Sequence, residues 1–316
     1  MSVNRSMGVG LANGVASGAL WGVVFLAPAM LAGFAPLQLA ASRYLVYGAI
    51  AAVLLVPRWP TLRATIGRVE WTALVWLSLL GNLLYYVLLS ISVQWSGGAA
   101  ESLIVGMVPV LVAITGAREP GAVPLPKLAP ALFLCVAGVA LMGVAAMASS
   151  HVAGTPVQRL LGLLCGVGAL LSWTLYSVGN TRWLARLPQV SGHDWSLLTG
   201  VATGALALLV APLAFAGGGQ GRPTSEWGLF WLVAAGVAVF ASILGNACWN
   251  RASRALPLTL GGQMIVFETL FGLLYGFLWQ QRWPTLLEML AAGCLLAGVV
   301  LSTAAHRPAA NLHAAA

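Results

Sequence analysis

Charge is what this sequence has least of. Only 7% of its 316 residues are Asp, Glu, Lys or Arg, where a water-soluble domain carries about a quarter. Lysine occurs once, at Lys127, and acidic residues number seven. So little charge cannot cover a water-facing surface, which excludes an ordinary soluble domain. Histidine is missing from every long apolar run: His151, His193, His306 and His313 fall between runs or in the tail. A histidine proton relay inside a membrane is therefore excluded. The four cysteines (Cys135, Cys165, Cys248, Cys294) lie singly within apolar runs. They read as small hydrophobes, with neither a disulfide framework nor a metal-binding spacing. No nucleotide-binding loop occurs, so direct ATP drive is not expected, and no cofactor or metal is implied. An enzyme would need a nucleophile–base pair, a metal cluster or a catalytic loop, and none is legible.

Apolar sequence fills the space. Hydrophobic residues make up 60% of the chain and mean hydropathy is +0.91. A membrane span needs about 20 mostly apolar residues. Ten stretches qualify, at roughly 9–31, 37–56, 71–93, 98–115, 127–147, 159–181, 194–214, 227–250, 258–279 and 286–303. Runs this long and continuous lack the short alternation of barrel strands, so the expected fold is an all-α membrane protein of ten transmembrane helices. Arg5 ahead of the first run gives it the look of a signal peptide, but the run continues to Ala32 and is expected to stay.

An internal repeat organises these spans. Gly10 to Trp21 reads GLANGVASGALW and Gly162 to Trp173 reads GLLCGVGALLSW, with Gly, Leu, Gly, Val and Trp in register at an offset of 152. Five apolar segments follow each copy's start. The expected domains are a first five-helix repeat over 1–150 and a second over 151–316, forming one membrane unit.

Basic residues set the orientation. With the N-terminus in the cytoplasm, Arg5, Arg58, Arg63, Arg68, Arg118, Lys127, Arg182, Arg186, Arg251, Arg254 and Arg307 fall inside. Only Arg159, Arg222 and Arg282 fall outside. Eleven against three predicts an inner (plasma) membrane protein of bacterial type with both termini cytoplasmic. The scattering of these residues argues against nucleic acid as a partner. A five-span repeat must also be inverted, because its second copy starts from the opposite face, joined outside around Ser149–Pro156. Inverted repeats are the architecture of many secondary transporters, with the site near mid-membrane.

Ten spans in two halves, a Gly-rich first helix carrying Trp21, Arg43 early in the second span and the pair Tyr85–Tyr86 resemble the drug/metabolite transporter superfamily, the EamA-type ten-helix carriers. Within it the chain is most similar to the YddG-type bacterial exporters of aromatic amino acids. The resemblance implies export of small solutes by alternating access between the halves. One departure stands out. The family's fourth helices often carry Glu-Pro, whereas here the halves carry Val108-Pro109 and Glu268-Thr269, so carboxylate and kink are split between them.

Candidate site residues follow from depth and pattern. Gly10, Gly14, Gly18 and Gly22 form a small-residue stripe for close packing, and Asn13, Ser17 and Trp21 run beside it toward the expected centre. Trp59, Trp71, Trp95, Trp183, Trp195, Trp227, Trp279 and Trp283 flank spans as an aromatic belt. Trp21 and Trp173 lie deep at equivalent repeat positions, either as packing or as paired aromatic walls. Ser78, Asn82, Tyr85, Tyr86, Tyr176, Ser177, Asn246, Trp249 and Gln263 add neutral hydrogen-bonders and aromatics from both halves. Together they suit a small ligand with an aromatic body and a zwitterionic head. Arg43, Glu101 and Glu268 are ionisable residues within spans, which are costly and functional by default. Arg43 and Glu101 fall toward the outer third, where an ion pair or snorkelling would explain them. Glu268 lies near mid-span without an evident basic partner, able to bind a proton or a cationic substrate.

Four classes remain to compare. An exporter of small amphipathic solutes, aromatic amino acids first, fits best; a broad drug or organic-cation exporter using Glu268 is the alternative. A membrane enzyme lacks its chemistry. A pure packing protein would not need polar residues in both halves. The expected partners are a small amino-acid-like molecule and the lipid bilayer; a monomer suffices and an oligomer stays open.

Overall fold

The computed structural model describes residues 2–31, 33–96, 101, 104–116, 123–148, 155–216, 222–281 and 283–305. Regular structure among the described residues is entirely helical. The sequence dictates this through apolar runs whose backbone must bond to itself in lipid. Local signals set the ends. Pro36, Pro156 and Pro223 stand at or beside helix starts, where a missing N–H costs nothing. The Thr155 hydroxyl accepts from the Gln158 amide while Gln158 Oε1 accepts from the Thr155 amide, and Ser191 caps Asp194 in the same manner.

We number the rods in chain order, counting a helix interrupted by 3-10 or π turns as one. α1 runs Ser2–Gly22 and continues through Val23–Phe25 into Leu26–Met30. α2 is Pro36–Leu55. α3 joins Arg68–Ser78 to Leu84–Ser96 through a π segment, Leu79–Leu83. α4 is Val108–Gly116 and α5 is Leu125–Ala148. α6 is Pro156–Arg186 and α7 is Gly192–Phe215. α8 joins Thr224–Val237 to Asn246–Ala255 through a second π segment, Ala238–Gly245. α9 comprises Leu258–Met264 and Val266–Gln280, and α10 is Leu286–Ala305.

Among the described residues, seven helical stretches are long and apolar enough to cross a membrane: those of α1, α2, α3, α6, α7, α8 and α9. Shorter apolar helices lie at Leu125–Gly138 in α5 and Leu286–Ser302 in α10. Most of the expected fourth span before residue 104 lies outside the described residues, as does the joining stretch 149–154.

The packing pairs are orderly. α2 lies along α7, and α5 along α10. α1 packs on α8 and α9, while α6 packs on α3 and α4. The glycine stripe of α1 is what allows its approach. A Cβ at Gly10 would stand 2.8 Å from Leu256, at Gly14 2.7 Å from Met264, at Gly18 2.5 Å from Phe267 and at Gly22 2.8 Å from the Gly272 nitrogen. Close backbone contact of this kind replaces the hydrophobic drive that lipid cannot supply.

Two sequence expectations need correction. Trp195 is no belt residue. It is fully buried, its Nε1 donates to Asn180 Oδ1 at 2.9 Å, and its ring stacks on Trp183. Asn13 does not face the centre with Ser17; its amide donates back to the Val9 carbonyl of its own helix. Trp59, Trp95, Trp279 and Trp283 are exposed, as lipid-interface residues should be.

Candidate functional site

A cavity in the middle of the molecule is lined by Trp21, Val24, Arg43, Tyr44, Gly81, Asn82, Tyr85, Trp173, Tyr176, Asn246 and Glu268. These come from α1, α2, α3, α6, α8 and α9. It is small as it stands, about 20 Å³, enough for about one water.

The two π segments shape it. A π turn carries an extra residue and opens the helical ladder, and such turns concentrate at functional sites. In α3 the opened turn presents Gly81 and Asn82; in α8 it leaves the Ala241 carbonyl free to accept from Trp21 Nε1 at 3.0 Å. Each segment ends on the same short sequence: Ser78-Leu-Leu-Gly-Asn82 with Tyr85, and Ser242-Ile-Leu-Gly-Asn246 with Trp249. Both glycines are obligatory. A Cβ on Gly81 would lie 2.3 Å from the Tyr176 ring, and on Gly245 2.7 Å from the Trp21 ring. Gly81 on α3 thus seats Tyr176 of α6, and Gly245 on α8 seats Trp21 of α1.

One wall is aromatic. Trp21, Trp173 and Trp249 form a triangle with centroids 5.3 to 5.9 Å apart, and Tyr176 joins Trp173 at 5.8 Å. The rings touch one another edge-on or tilted, with no ligand-sized gap between Trp21 and Trp173. Charged residues line the cavity as well. Arg43 donates from Nε to the Ser242 hydroxyl at 3.0 Å, and its guanidinium lies 4.9 Å from the Tyr44 ring and 4.5 Å from the Tyr86 ring. Such contacts hold a desolvated cation at about 2 kcal/mol or more. Glu268 is 3% exposed and lines the same cavity.

This corrects the reading of the ionisable residues. Arg43 neither snorkels nor pairs with Glu101; it faces the cavity that Glu268 faces. Glu268 therefore does have a cation at its depth. Glu101 is fully buried, and neither of its oxygens has a hydrogen-bond partner among the described residues.

Of the neutral candidates, Trp21, Asn82, Tyr85, Trp173, Tyr176 and Asn246 line the cavity. Tyr86 backs it against Arg43 and Trp249 against the other tryptophans. Four candidates do other work or lie elsewhere. Ser17 bonds to the Gly14 carbonyl of its own helix, and Ser78 ties α3 to the Thr199 carbonyl. Gln263 accepts from Cys135 on α5. Ser177 is buried with an unpartnered hydroxyl outside the lining. Sequence reasoning missed Tyr44, Gly81 and Val24. Gly81 was findable, because the repeated Ser-x-Leu-Gly-Asn is a second copy signal. Tyr44 had only its position beside Arg43; its hydroxyl donates to the Asn82 carbonyl at 3.1 Å and braces the π turn.

Residues 160–304 match the EamA-like transporter family. The chain is 29% identical over 305 residues to the inner membrane protein YtfF of Escherichia coli (strain K12), covering 92% of this chain and 93% of that protein. A solved crystal structure with 19% identity superposes with a TM-score of 0.67, covering 93% of this chain and 96% of the other, which fixes the likeness of fold.

Proposed function

We propose that this chain, an EamA-like transporter, is an inner-membrane exporter of small zwitterionic amphipathic solutes, aromatic amino acids first. One observation carries the reading: Arg43 and Glu268, opposite charges from different halves, line one cavity with Trp21, Trp173 and Tyr176. Arg43 suits a carboxylate and Glu268 an ammonium, while the indoles suit an apolar or aromatic body. Asn82 and Asn246 can bond either end. An organic-cation exporter remains the alternative through Glu268, but a buried arginine in the same cavity opposes a lone cation.

The mechanism proposed is alternating access between two inverted halves, 1–150 and 151–316, as ten spans. Support comes from the matched packing of α1 on α8–α9 and α6 on α3–α4, the self-paired α2–α7 and α5–α10, and the twin π segments. At about 20 Å³ the cavity is smaller than an amino acid, so a substrate must widen it to bind. The Arg/Lys asymmetry supports cytoplasmic termini. A single cysteine at Gly67 should then label only from inside.

The decisive measurement is flux of labelled Phe, Leu and a cationic dye in proteoliposomes, with and without a pH gradient. Saturable Phe flux, faster than Leu flux, is expected. Flux of the dye alone would transfer the protein to the alternative, and no flux of any of the three would end the amino-acid reading.

A further inference from the structure

Glu101 belongs to no part of the cavity, yet its burial is the most complete of any carboxylate among the described residues. Its surroundings are polar but unsatisfied. Ser92 and Ser96 on α3 are buried with hydroxyls that lack a hydrogen-bond partner among the described residues, and both Glu101 oxygens lack one there too. α6 closes over this cluster through glycines. A Cβ on Gly166 would lie 2.6 Å from Glu101 Oε2 and 2.8 Å from Ser92 Oγ, and one on Gly162 would lie 2.2 Å from Ser96 Oγ. The carboxyl is pressed against bare helix backbone.

An ionised carboxylate here would cost several kcal/mol without a partner. The titratable groups facing it are Cys165 on α6, Tyr85 on α3 and Glu268 on α9, all neutral or acidic; no cation acts on it among the described residues. Arg43 sits instead with Glu268. A metal ion would need several oxygens spaced around it, and contact at Gly166 closes one side of the carboxyl. A proton occupies no volume, and a protonated carboxyl can donate to the Ser92 hydroxyl beside it.

We propose that Glu101 is a proton-binding site separate from the substrate cavity, loaded when α3, α4 and α6 are packed as seen here and emptied to water when α6 lifts off at Gly162 and Gly166. The proton then tunes the same helix that carries Trp173 into the substrate cavity, so this site rests on the carrier reading only for its coupling to transport.

The test needs no substrate. Infrared difference spectra of the purified protein in lipid should show a carboxylic-acid carbonyl band that disappears on raising pH, is absent in Glu101→Gln and persists in Glu268→Gln. Glu101→Asp, which keeps a titratable group, should shift the band and not remove it. Amide exchange in segment 160–168, corrected for intrinsic rates, should rise with pH by up to about tenfold per unit below the pH at which the band disappears and level off above it, as release of one proton on opening requires. Glu101→Gln should abolish that rise. A band unchanged in Glu101→Gln, a band erased by sodium at fixed pH, or an equal exchange rise in the variant would each overturn the proposal. None of these results depends on whether an amino acid is carried.

Discussion

Glu268 and Glu101 are both buried carboxylates, and their settings differ. Glu268 shares a cavity with Arg43, whose own charge is spread over Tyr44 and Tyr86. Glu101 shares a dry corner with serines and glycines. A cation lines the same low-dielectric cavity as the first, whereas none acts on the second among the described residues. Burial alone therefore does not say what a membrane carboxylate does. The sign and distance of its neighbours decide.

The sharpest way to break this contrast is to remove the cation. Arg43→Gln should lose the charged hydrogen bond to Ser242 and the contacts with the Tyr44 and Tyr86 rings and destabilise the protein by about 3 kcal/mol, the scale of a charged hydrogen bond with desolvated ring contacts. Thermal unfolding in detergent would measure it. Glu101→Gln should by contrast change stability by less than about 1 kcal/mol, since an amide resembles the protonated carboxyl. If Glu101→Gln were as damaging as Arg43→Gln, the two sites would not differ in the way argued.

Steric tests come next in size. Gly18→Ala places a methyl 2.5 Å from Phe267 Cβ and 2.9 Å from the Glu268 nitrogen, and overpacking of this kind costs about 1–3 kcal/mol. Gly228→Ala meets nothing within 4 Å and serves as the neutral control by the same unfolding measurement.

The smallest effect concerns selectivity. Trp21→Leu and Trp173→Leu should each weaken apparent affinity for Phe and Trp by about 2- to 13-fold, the loss of roughly 0.5–1.5 kcal/mol of ring contact. Flux of a small aliphatic amino acid should fall less. Equal losses for both substrates would return the pair to packing, a live outcome because the two rings already touch each other at 5.9 Å.

Sequence periodicity and composition carried the fold a long way. Low charge and long apolar runs required helices in lipid, because no other open form satisfies the backbone there. The glycines of α1 were legible as a packing stripe because four-residue spacing keeps one helix face bare whatever lies opposite. Deep tryptophans and asparagines were legible as central for a similar reason, since polar and aromatic groups in lipid must meet protein. Ser17, Ser78 and Gln263 looked equivalent to Asn82 and Asn246 on that criterion, and it could not separate them: a residue's depth is written in its run, but its rotation toward one neighbour or another is not.

Tertiary structure decided the rest. The chain by itself determined that Arg43, Glu101 and Glu268 would all be buried, since each is embedded in an apolar run. Which of them share a space depends on how α2 and α9 cross and on what packs around Glu101, and that is set by helix contacts distant in sequence. The same holds for the π turns, where an extra residue in the ladder is stabilised by Tyr44 on the Asn82 carbonyl and Trp21 on the Ala241 carbonyl. Local sequence can propose a buried charge. Only the packed helices supply its partner, because in a low-dielectric interior a few ångströms separate a compensated charge from one that must take up a proton.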